Sequence, residues 1–301
     1  MRTQFTGVGT ALITPFTKSG ALDEAGVKRL ARRQIDGGVH FLVPCGTTGE
    51  TPTLSEAERL RVVELVLEEA RGQVPVMAGI GGNATREVVG YARDMHRLGA
   101  HGLLSVTPYY NKPTPEGLFQ HFSAVAAATP LPIVLYNVPG RTGCNIDAPT
   151  LARLATIPHV IGVKEAAGNL QQMAEMVRAV PPDFLVLSGD DALTVPLMAI
   201  GGRGLISVAS NSMPAEMSQM VEAAERGDFR LARQIHQKML PLMLGNFVES
   251  NPGPVKFSMA AMGLCEEVFR LPMVSPRPAS KEKILAFMKE LGLPIVAGSH
   301  V

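Results

Sequence analysis

The sequence predicts an α/β fold: a parallel (β/α)8 barrel, or TIM barrel, followed by a C-terminal helical region. Short apolar runs alternate with amphipathic segments eight times between residues 7 and 226. Eight such units match a closed barrel better than an open doubly wound sheet. Only helical patterns follow. We therefore predict a catalytic barrel over residues 1–226 and a helical region over residues 227–301.

The predicted strands are short, apolar and rich in β-branched residues, and Gly or Pro bounds several of them. Such runs are typical of strands that are buried on both faces of a sheet. They lie at residues 7–15, 41–44, 76–80, 102–106, 133–136, 160–164, 184–188 and 204–208.

The predicted helices carry apolar residues on one face, and several have recognisable caps. Ser55 and Glu58 form the pattern of a capping box, and Gly99 ends the third helix. The barrel helices are predicted at residues 23–35, 55–70, 85–98, 115–128, 148–155, 169–180, 191–200 and 214–226. Three more follow at residues 228–243, 252–262 and 280–291.

The composition narrows the class of ligand. A net charge of +1 from 28 basic and 27 acidic residues gives no field that would attract nucleic acid or an anionic membrane. Three cysteines without ligand-like spacing, and seven histidines without pairing, predict neither disulfides nor a metal site. No apolar run is long enough to span a membrane. We expect a cytoplasmic protein with small-molecule ligands.

Lys164 ends the sixth predicted strand, where a charged side chain is unusual. A buried amine loses its proton more readily than an exposed one, and the neutral amine is a nucleophile that forms Schiff bases with carbonyl compounds. The alternative is a lysine that has left the strand and reaches solvent. Taken alone, these residues favour that alternative.

Other polar residues also follow strands, so in a barrel they meet at the same mouth. The turn around Thr47 and Thr48 could hold a carboxylate, and Tyr136 could transfer protons. Arg141 could bind a second carboxylate. The alternatives are an ordinary glycine-rich turn, a core tyrosine and an exposed arginine without a partner.

Two further groups are predicted to have no part in the chemistry. Asp190 and Asp191 follow the seventh strand, and we expect them to cap the next helix. His40, His101 and His159 precede strands, which places them at the opposite end of the barrel.

Four motifs carry a resemblance to a known family: GTTGE at 46–50, YYNKP at 109–113, YNVPGRTG at 136–143 and GVKEAAG at 162–168. Over essentially its whole length the chain resembles the dihydrodipicolinate synthases, which belong to the class I, lysine-dependent aldolases together with N-acetylneuraminate lyase. The arginine of PGRTG marks the synthase branch.

The resemblance implies four catalytic residues. Lys164 would form the imine with pyruvate, and Tyr136 would relay protons together with Thr47 and Tyr110. In the family, the last of these tyrosines comes from the neighbouring subunit of a tight dimer.

It also implies four residues that bind substrate. Thr48 would hold the pyruvate carboxylate, and Arg141 would hold the carboxylate of aspartate semialdehyde. The backbone carbonyls of Gly189 and Ile206 would line the pocket.

The implied reaction condenses pyruvate with L-aspartate 4-semialdehyde to give 4-hydroxy-tetrahydrodipicolinate, in the diaminopimelate route to lysine. No metal or organic cofactor is expected, because the protonated imine is itself the electron sink. A homotetramer built from two tight dimers is expected on the same resemblance. The alternatives are a related lyase acting on another aldehyde, and a non-catalytic barrel that binds a keto acid.

This chain differs from lysine-inhibited members of the family at a regulatory cleft. Asn83, Glu87 and Tyr109 match the cleft in which lysine-inhibited relatives bind lysine. Those relatives carry histidines in the helix after GTTGE, where this chain has Glu56 and Arg59. An acid in place of an imidazole changes both charge and fit. We therefore predict weak or absent inhibition by lysine.

Overall fold

The computed structural model describes residues 4–296 and confirms the predicted barrel. Eight parallel strands follow the order β2-β1-β8-β7-β6-β5-β4-β3, and an isolated bridge between Leu42 and Val76 joins the two outer strands into a ring. The strands are β1 Gly7–Ala11, β2 Phe41–Val43, β3 Met77–Gly79, β4 Gly102–Val106, β5 Ile133–Asn137, β6 Val160–Glu165, β7 Leu185–Ser188 and β8 Gly204–Ser207.

The helices surround the barrel and continue beyond it. They are α1 Glu24–Asp36, α2 Glu56–Ala70, α3 Thr85–Leu98, α4 Pro115–Ala126, α5 Pro139–Thr142, α6 Ala148–Leu154, α7 Leu170–Ala179, α8 Thr194–Ala199, α9 Pro214–Glu225, α10 Phe229–Gly245, α11 Gly253–Ala261 and α12 Pro278–Glu290. The predicted capping box of α2 is confirmed, as is the left-handed Gly99 that ends α3.

Three local predictions differ from the structure. The first strand, predicted over residues 7–15, ends at Ala11. The predicted loop after β5 contains the short helix α5, which begins at Pro139 because proline suits the first helical turn. The predicted helix 191–200 starts as a 3-10 turn, Asp191–Leu193, and becomes α-helical only at Thr194.

Side chains alternate between the barrel interior and the helical layer, as strands require. One apolar cluster fills the interior and includes Phe41, Met77, Leu104 and Leu187. Tyr136 belongs to this cluster and lies near the carboxyl end of β5. The barrel is therefore a packed core, and only its mouth is open to chemistry.

The C-terminal helices pack against the barrel. Val255 and Met259 of α11 form a buried cluster with Ile13 and Val208, which follow β1 and β8. This contact brings α11 to the carboxyl ends of the strands. The division at residue 226 stays a prediction, and the ends of the two predicted regions, residues 1–3 and 297–301, lie outside the described residues.

Across residues 4–296 no helix is both long and apolar enough to cross a membrane. The same residues contain no group of three or more His, Cys, Asp or Glu side chains that could hold a metal ion.

Candidate active site

The turn after β2 is held in an unusual backbone shape. Thr47–Gly49 forms a single 3-10 turn, and left-handed residues flank it at Cys45 (φ 57°) and Glu50 (φ 52°). Non-glycine residues adopt this conformation rarely and at some cost in free energy, so surrounding contacts must fix it. The turn thereby buries Thr48 and directs Thr47 to the cavity described below.

Lys164 lies next to Tyr136 across the β5–β6 ladder, where the two residues are in register. The Lys164 side chain is only 4% exposed, and its Nζ is 4.2 Å from the centroid of the Tyr136 ring. Within residues 4–296 this amine makes no ion pair or hydrogen bond. Lys164 has therefore not left the strand for solvent, and its nitrogen has no acid partner.

A cavity of about 310 Å³ opens at this mouth of the barrel. Five of the predicted catalytic, substrate and cleft residues line it: Thr47, Arg59, Tyr109, Tyr136 and Arg141. Apolar walls with a few convergent polar groups are typical of sites for small molecules.

Gly189 leaves room for the lysine. A Cβ at this position would lie 3.0 Å from Cε of Lys164 and 2.6 Å from Cβ of Ala166. A larger residue would therefore displace the amine. Ile206 is fully buried in the same interior cluster as Tyr136, so β8 forms another wall beside the pair.

Asn251 joins two predicted substrate groups, and sequence reasoning missed it. Its Nδ2 donates to Oγ1 of Thr48 at 3.0 Å, and its backbone carbonyl accepts from Arg141 at 3.1 Å. The Thr48 hydroxyl accepts this bond and can still donate its own proton to a carboxylate. The only signal in the sequence is the Asn-Pro dipeptide, which marks a turn and reveals nothing about this contact.

A buried ion pair fixes the other end of the turn. Lys256 of α11 donates to Oε1 of Glu50 at 2.6 Å, and both side chains are fully buried. Burial lowers the pKa of Lys256, and the neighbouring Glu50 carboxylate opposes that shift. The C-terminal region thus holds the threonine turn at two points: Lys256 of α11 binds Glu50, and Asn251, just before α11, binds Thr48.

Both the sequence and the fold of this chain match known proteins. A sequence model of the dihydrodipicolinate synthetase family matches residues 4–291. The chain belongs to this family. It is 52% identical over 288 residues to a 4-hydroxy-tetrahydrodipicolinate synthase of Koribacter versatilis, covering 95% of this chain and 96% of that one.

Solved structures agree with this membership. The dihydrodipicolinate synthase of Aquifex aeolicus superposes with a TM-score of 0.95 at 42% identity, covering 97% of this chain and 100% of that one. The enzyme of Cyanidioschyzon merolae, solved with lysine bound, gives a TM-score of 0.94 at 38% identity, with coverage of 97% and 100%.

In this protein, Tyr110 does not line the cavity of its own chain. Its side chain is 89% exposed and its backbone is left-handed, with φ 74°. A side chain displayed in this way is consistent with a role outside its own barrel, which stays a prediction.

The predicted regulatory residues are distributed unevenly. Arg59 and Tyr109 line the cavity, and the Arg59 guanidinium stacks 5.0 Å from the centroid of the Tyr91 ring. Glu56 and Glu87 are exposed on α2 and α3. The backbone carbonyl of Asn83 accepts a hydrogen bond from the side-chain Nδ2 of Asn111.

The two aspartates after β7 have different roles. Asp190 accepts from the Ala192 amide and caps the turn, as predicted. For Asp191 the prediction was wrong. Its carboxylate is buried and accepts from the Ser207 hydroxyl and from the amides of Val208 and Ala209, so it fixes the loop after β8. Burial raises the pKa of this carboxyl despite these bonds.

Two of the three histidines bind backbone at the far end of the barrel. Nδ1 of His40 accepts from the Val8 amide, and Nδ1 of His101 accepts from the Val76 amide. His159 directly precedes β6 and is left-handed, with φ 69°. All three sit at strand starts, as predicted.

Proposed function

We propose that this protein condenses pyruvate with L-aspartate 4-semialdehyde to give 4-hydroxy-tetrahydrodipicolinate. This is the reaction of 4-hydroxy-tetrahydrodipicolinate synthase, a carbon–oxygen lyase of the hydro-lyase type. One observation carries the proposal: the buried amine of Lys164, which has no acid partner among the residues that the structure describes, lies against Tyr136 beside a cavity with Arg141 in its wall. Family membership supports the same reaction.

The first half of the reaction forms the imine. Neutral Lys164 attacks the keto carbon of pyruvate, and water leaves after Tyr136 supplies a proton to the oxygen. The imine then loses a proton from the methyl group and becomes an enamine. Thr48 and the amides of its turn hold the pyruvate carboxylate, which orients the methyl carbon towards the cavity.

The second half builds the ring. The enamine carbon bonds to the aldehyde carbon, and the aldehyde oxygen takes up a proton. The amine of the second substrate then attacks the imine carbon and expels Lys164, which regenerates the enzyme. Arg141 binds the carboxylate of the semialdehyde through its guanidinium fork. Thr47 and Tyr136 relay the protons.

We further propose that Tyr110 completes this relay from a neighbouring subunit, in a homotetramer made of two tight dimers. Its exposure of 89% supports a partner contact. The backbone carbonyls of Gly189 and Ile206 face the substrate, and no cofactor takes part. The proposed location is the cytoplasm.

Trapping tests the proposal directly. Incubation with pyruvate and borohydride reduces any imine to a stable secondary amine, which mass spectrometry of peptides locates. We expect one pyruvate-derived adduct, on Lys164. If pyruvate binds and no adduct forms, the protein is a keto-acid-binding barrel and not an aldolase.

A panel of aldehydes tests the second substrate. A coupled assay with pyruvate should give the highest kcat/KM for aspartate semialdehyde, because only an aldehyde with a carboxylate uses Arg141. Preference for an uncharged or sugar-derived aldehyde would identify a related lyase instead.

A further inference from the structure

Glu165 is a buried carboxylate directly beside the reacting lysine, and the mechanism above does not use it. It follows Lys164 at the end of β6 and is fully buried. Side chains alternate along a strand, so Glu165 faces the helical layer while Lys164 faces the barrel interior. Its partner across the ladder is Asn137, one step beyond the register pair Tyr136 and Lys164.

Within residues 4–296, every hydrogen bond of the Glu165 side chain comes from a neutral N–H group. Oε2 accepts from Nδ2 of Asn137 at 2.7 Å. Oε1 accepts from the Ala167 amide at 2.7 Å and from Nε2 of Gln172 at 3.3 Å. Burial raises the pKa of this carboxyl, and these three donors oppose the shift. The three donors come from different parts of the chain, so both oxygens of the Glu165 carboxyl are held in place.

The hydrogen bonds of Glu165 involve neighbours of three proposed site residues, Tyr136, Lys164 and Gly189. Asn137 follows Tyr136 and is itself held by the Ile146 amide, which donates to Oδ1 at 2.9 Å. The backbone carbonyl of Glu165 accepts from the Gly189 amide at 2.7 Å. One residue therefore connects β5, β6 and β7 at the height of the reacting amine.

We infer that Glu165 is a positioning residue for imine formation, acting through its hydrogen bond to Asn137. The inference rests on the proposed function. Locking Asn137 to Glu165 fixes how the preceding pair, Tyr136 and Lys164, face each other. The β5–β6 ladder shifts register between Ile133 and Val134 and is regular from Val134 to Asn137, so the side-chain bond reinforces the last pair of this regular stretch.

Glu165→Gln tests the inference with an isosteric change. Three N–H donors face this side chain, and a glutamine amide offers one acceptor and one NH2, so at least one donor meets a donor. We expect kcat and the rate of borohydride trapping to fall about tenfold or more, since small misplacements of reacting groups are costly. The KM for aspartate semialdehyde, set by Arg141, should change less than twofold.

A charge-swapped pair provides the rescue. In Asn137→Asp with Glu165→Gln, the glutamine NH2 donates to the new carboxylate, which restores the cross-strand bond with donor and acceptor exchanged. We expect this double variant to recover most of the trapping rate. Asn137→Ser removes the same bond while keeping the carboxylate, so it replaces Glu165→Gln should that variant fail to fold, with the same expected loss.

Leu154→Val is the matched control, because Leu154 is a fully buried residue of α6 that belongs neither to the cavity lining nor to the interior cluster of Tyr136. It should lower the melting temperature and leave kcat unchanged. The inference is overturned if Glu165→Gln, or Asn137→Ser in its place, keeps wild-type kcat and trapping, or if the swapped pair recovers nothing. An absence of adduct in the wild-type protein would instead refute the proposed function.

Discussion

Lys164 and Lys256 are both withdrawn from solvent, at 4% and 0% exposure, yet their surroundings differ completely. Lys256 donates to Glu50 at 2.6 Å and lies 4.1 Å from the centroid of the Phe16 ring. Lys164 contacts the Tyr136 ring and has no carboxylate partner among the described residues. Burial alone therefore does not mark a reactive lysine. A paired amine is held in place by its partner, whereas an unpaired one is available to bond to a substrate carbonyl.

The largest expected effect is the loss of the unpaired amine. Lys164→Met should reduce turnover by roughly 10³-fold or more, because no other group forms the imine. Its melting temperature should stay at or above the wild-type value, since a desolvated amine is removed and no partner is left behind. Steady-state kinetics and calorimetry measure both. Substantial residual turnover through an imine would contradict the comparison.

Removing the paired amine should mainly affect stability. Lys256→Met leaves the buried Glu50 charge without its cation, which should cost about 3–5 kcal/mol in the free energy of unfolding. Adding Glu50→Gln removes that charge, so the double variant should recover most of the loss. Urea denaturation of the two variants measures the difference. Equal stability of the single variant and wild type would show that the pair contributes nothing.

Arg141 sharpens the contrast from the substrate side. Arg141→Ala should raise the KM for aspartate semialdehyde by about 10- to 100-fold, since it removes a charged fork from one carboxylate. The KM for pyruvate and the trapping of Lys164 should change little. Arg141→Lys keeps the positive charge but loses the planar guanidinium fork, so its KM for aspartate semialdehyde should lie between those of wild type and Arg141→Ala. A larger effect on pyruvate than on the semialdehyde would reverse the assignment.

A second ion pair from the C-terminal region predicts a pH dependence. Arg270 donates two bonds to Glu58 and lowers the pKa of that carboxyl to about 2. A depressed carboxyl pKa adds stability above its unfolded value, and that stability is lost as pH falls towards the folded value. With solvent screening, wild type should lose about 1–2 kcal/mol more than Arg270→Gln between pH 5 and pH 2. Parallel stability curves would refute this.

The smallest effect is expected from free lysine. The predicted cleft contains Glu56 and Arg59, and the Arg59 guanidinium already stacks on Tyr91. Turnover should therefore remain near its uninhibited value at submillimolar lysine. An initial-rate titration checks this, with unrelated amino acids as controls. A clear fall in rate at such concentrations would show that the cleft tolerates the acid.

The sequence predicts strands, helices and caps correctly where neighbouring residues determine them. Strand β4 and helix α3 lie within their predicted bounds, and Ser55 with Glu58 forms the expected cap. The position of Lys164 beside Tyr136 followed from strand order, because parallel strand ends share one mouth.

Contacts between distant parts of the chain were not predictable. Asn251 and Thr48 are separated by 203 positions, and Lys256 and Glu50 by 206. Nothing in the spacing of these residues indicates that they meet, because tertiary packing and not periodicity brings them together. The prediction for Asp191 was wrong for a related reason: the partners of its carboxylate lie at the end of β8 and in the loop after it, and not in its own helix.

The contacts of Asn251 and Lys256 with the threonine turn have a consequence for synthesis of the chain. Domains begin to fold from the amino-terminal side while translation continues. A nascent chain that has exposed only the barrel possesses Lys164 and both threonines but neither Asn251 nor Lys256. We expect the threonine turn to stay loosely held until residues 251–256 have left the ribosome, so that the proposed binding of a keto acid arises late in synthesis.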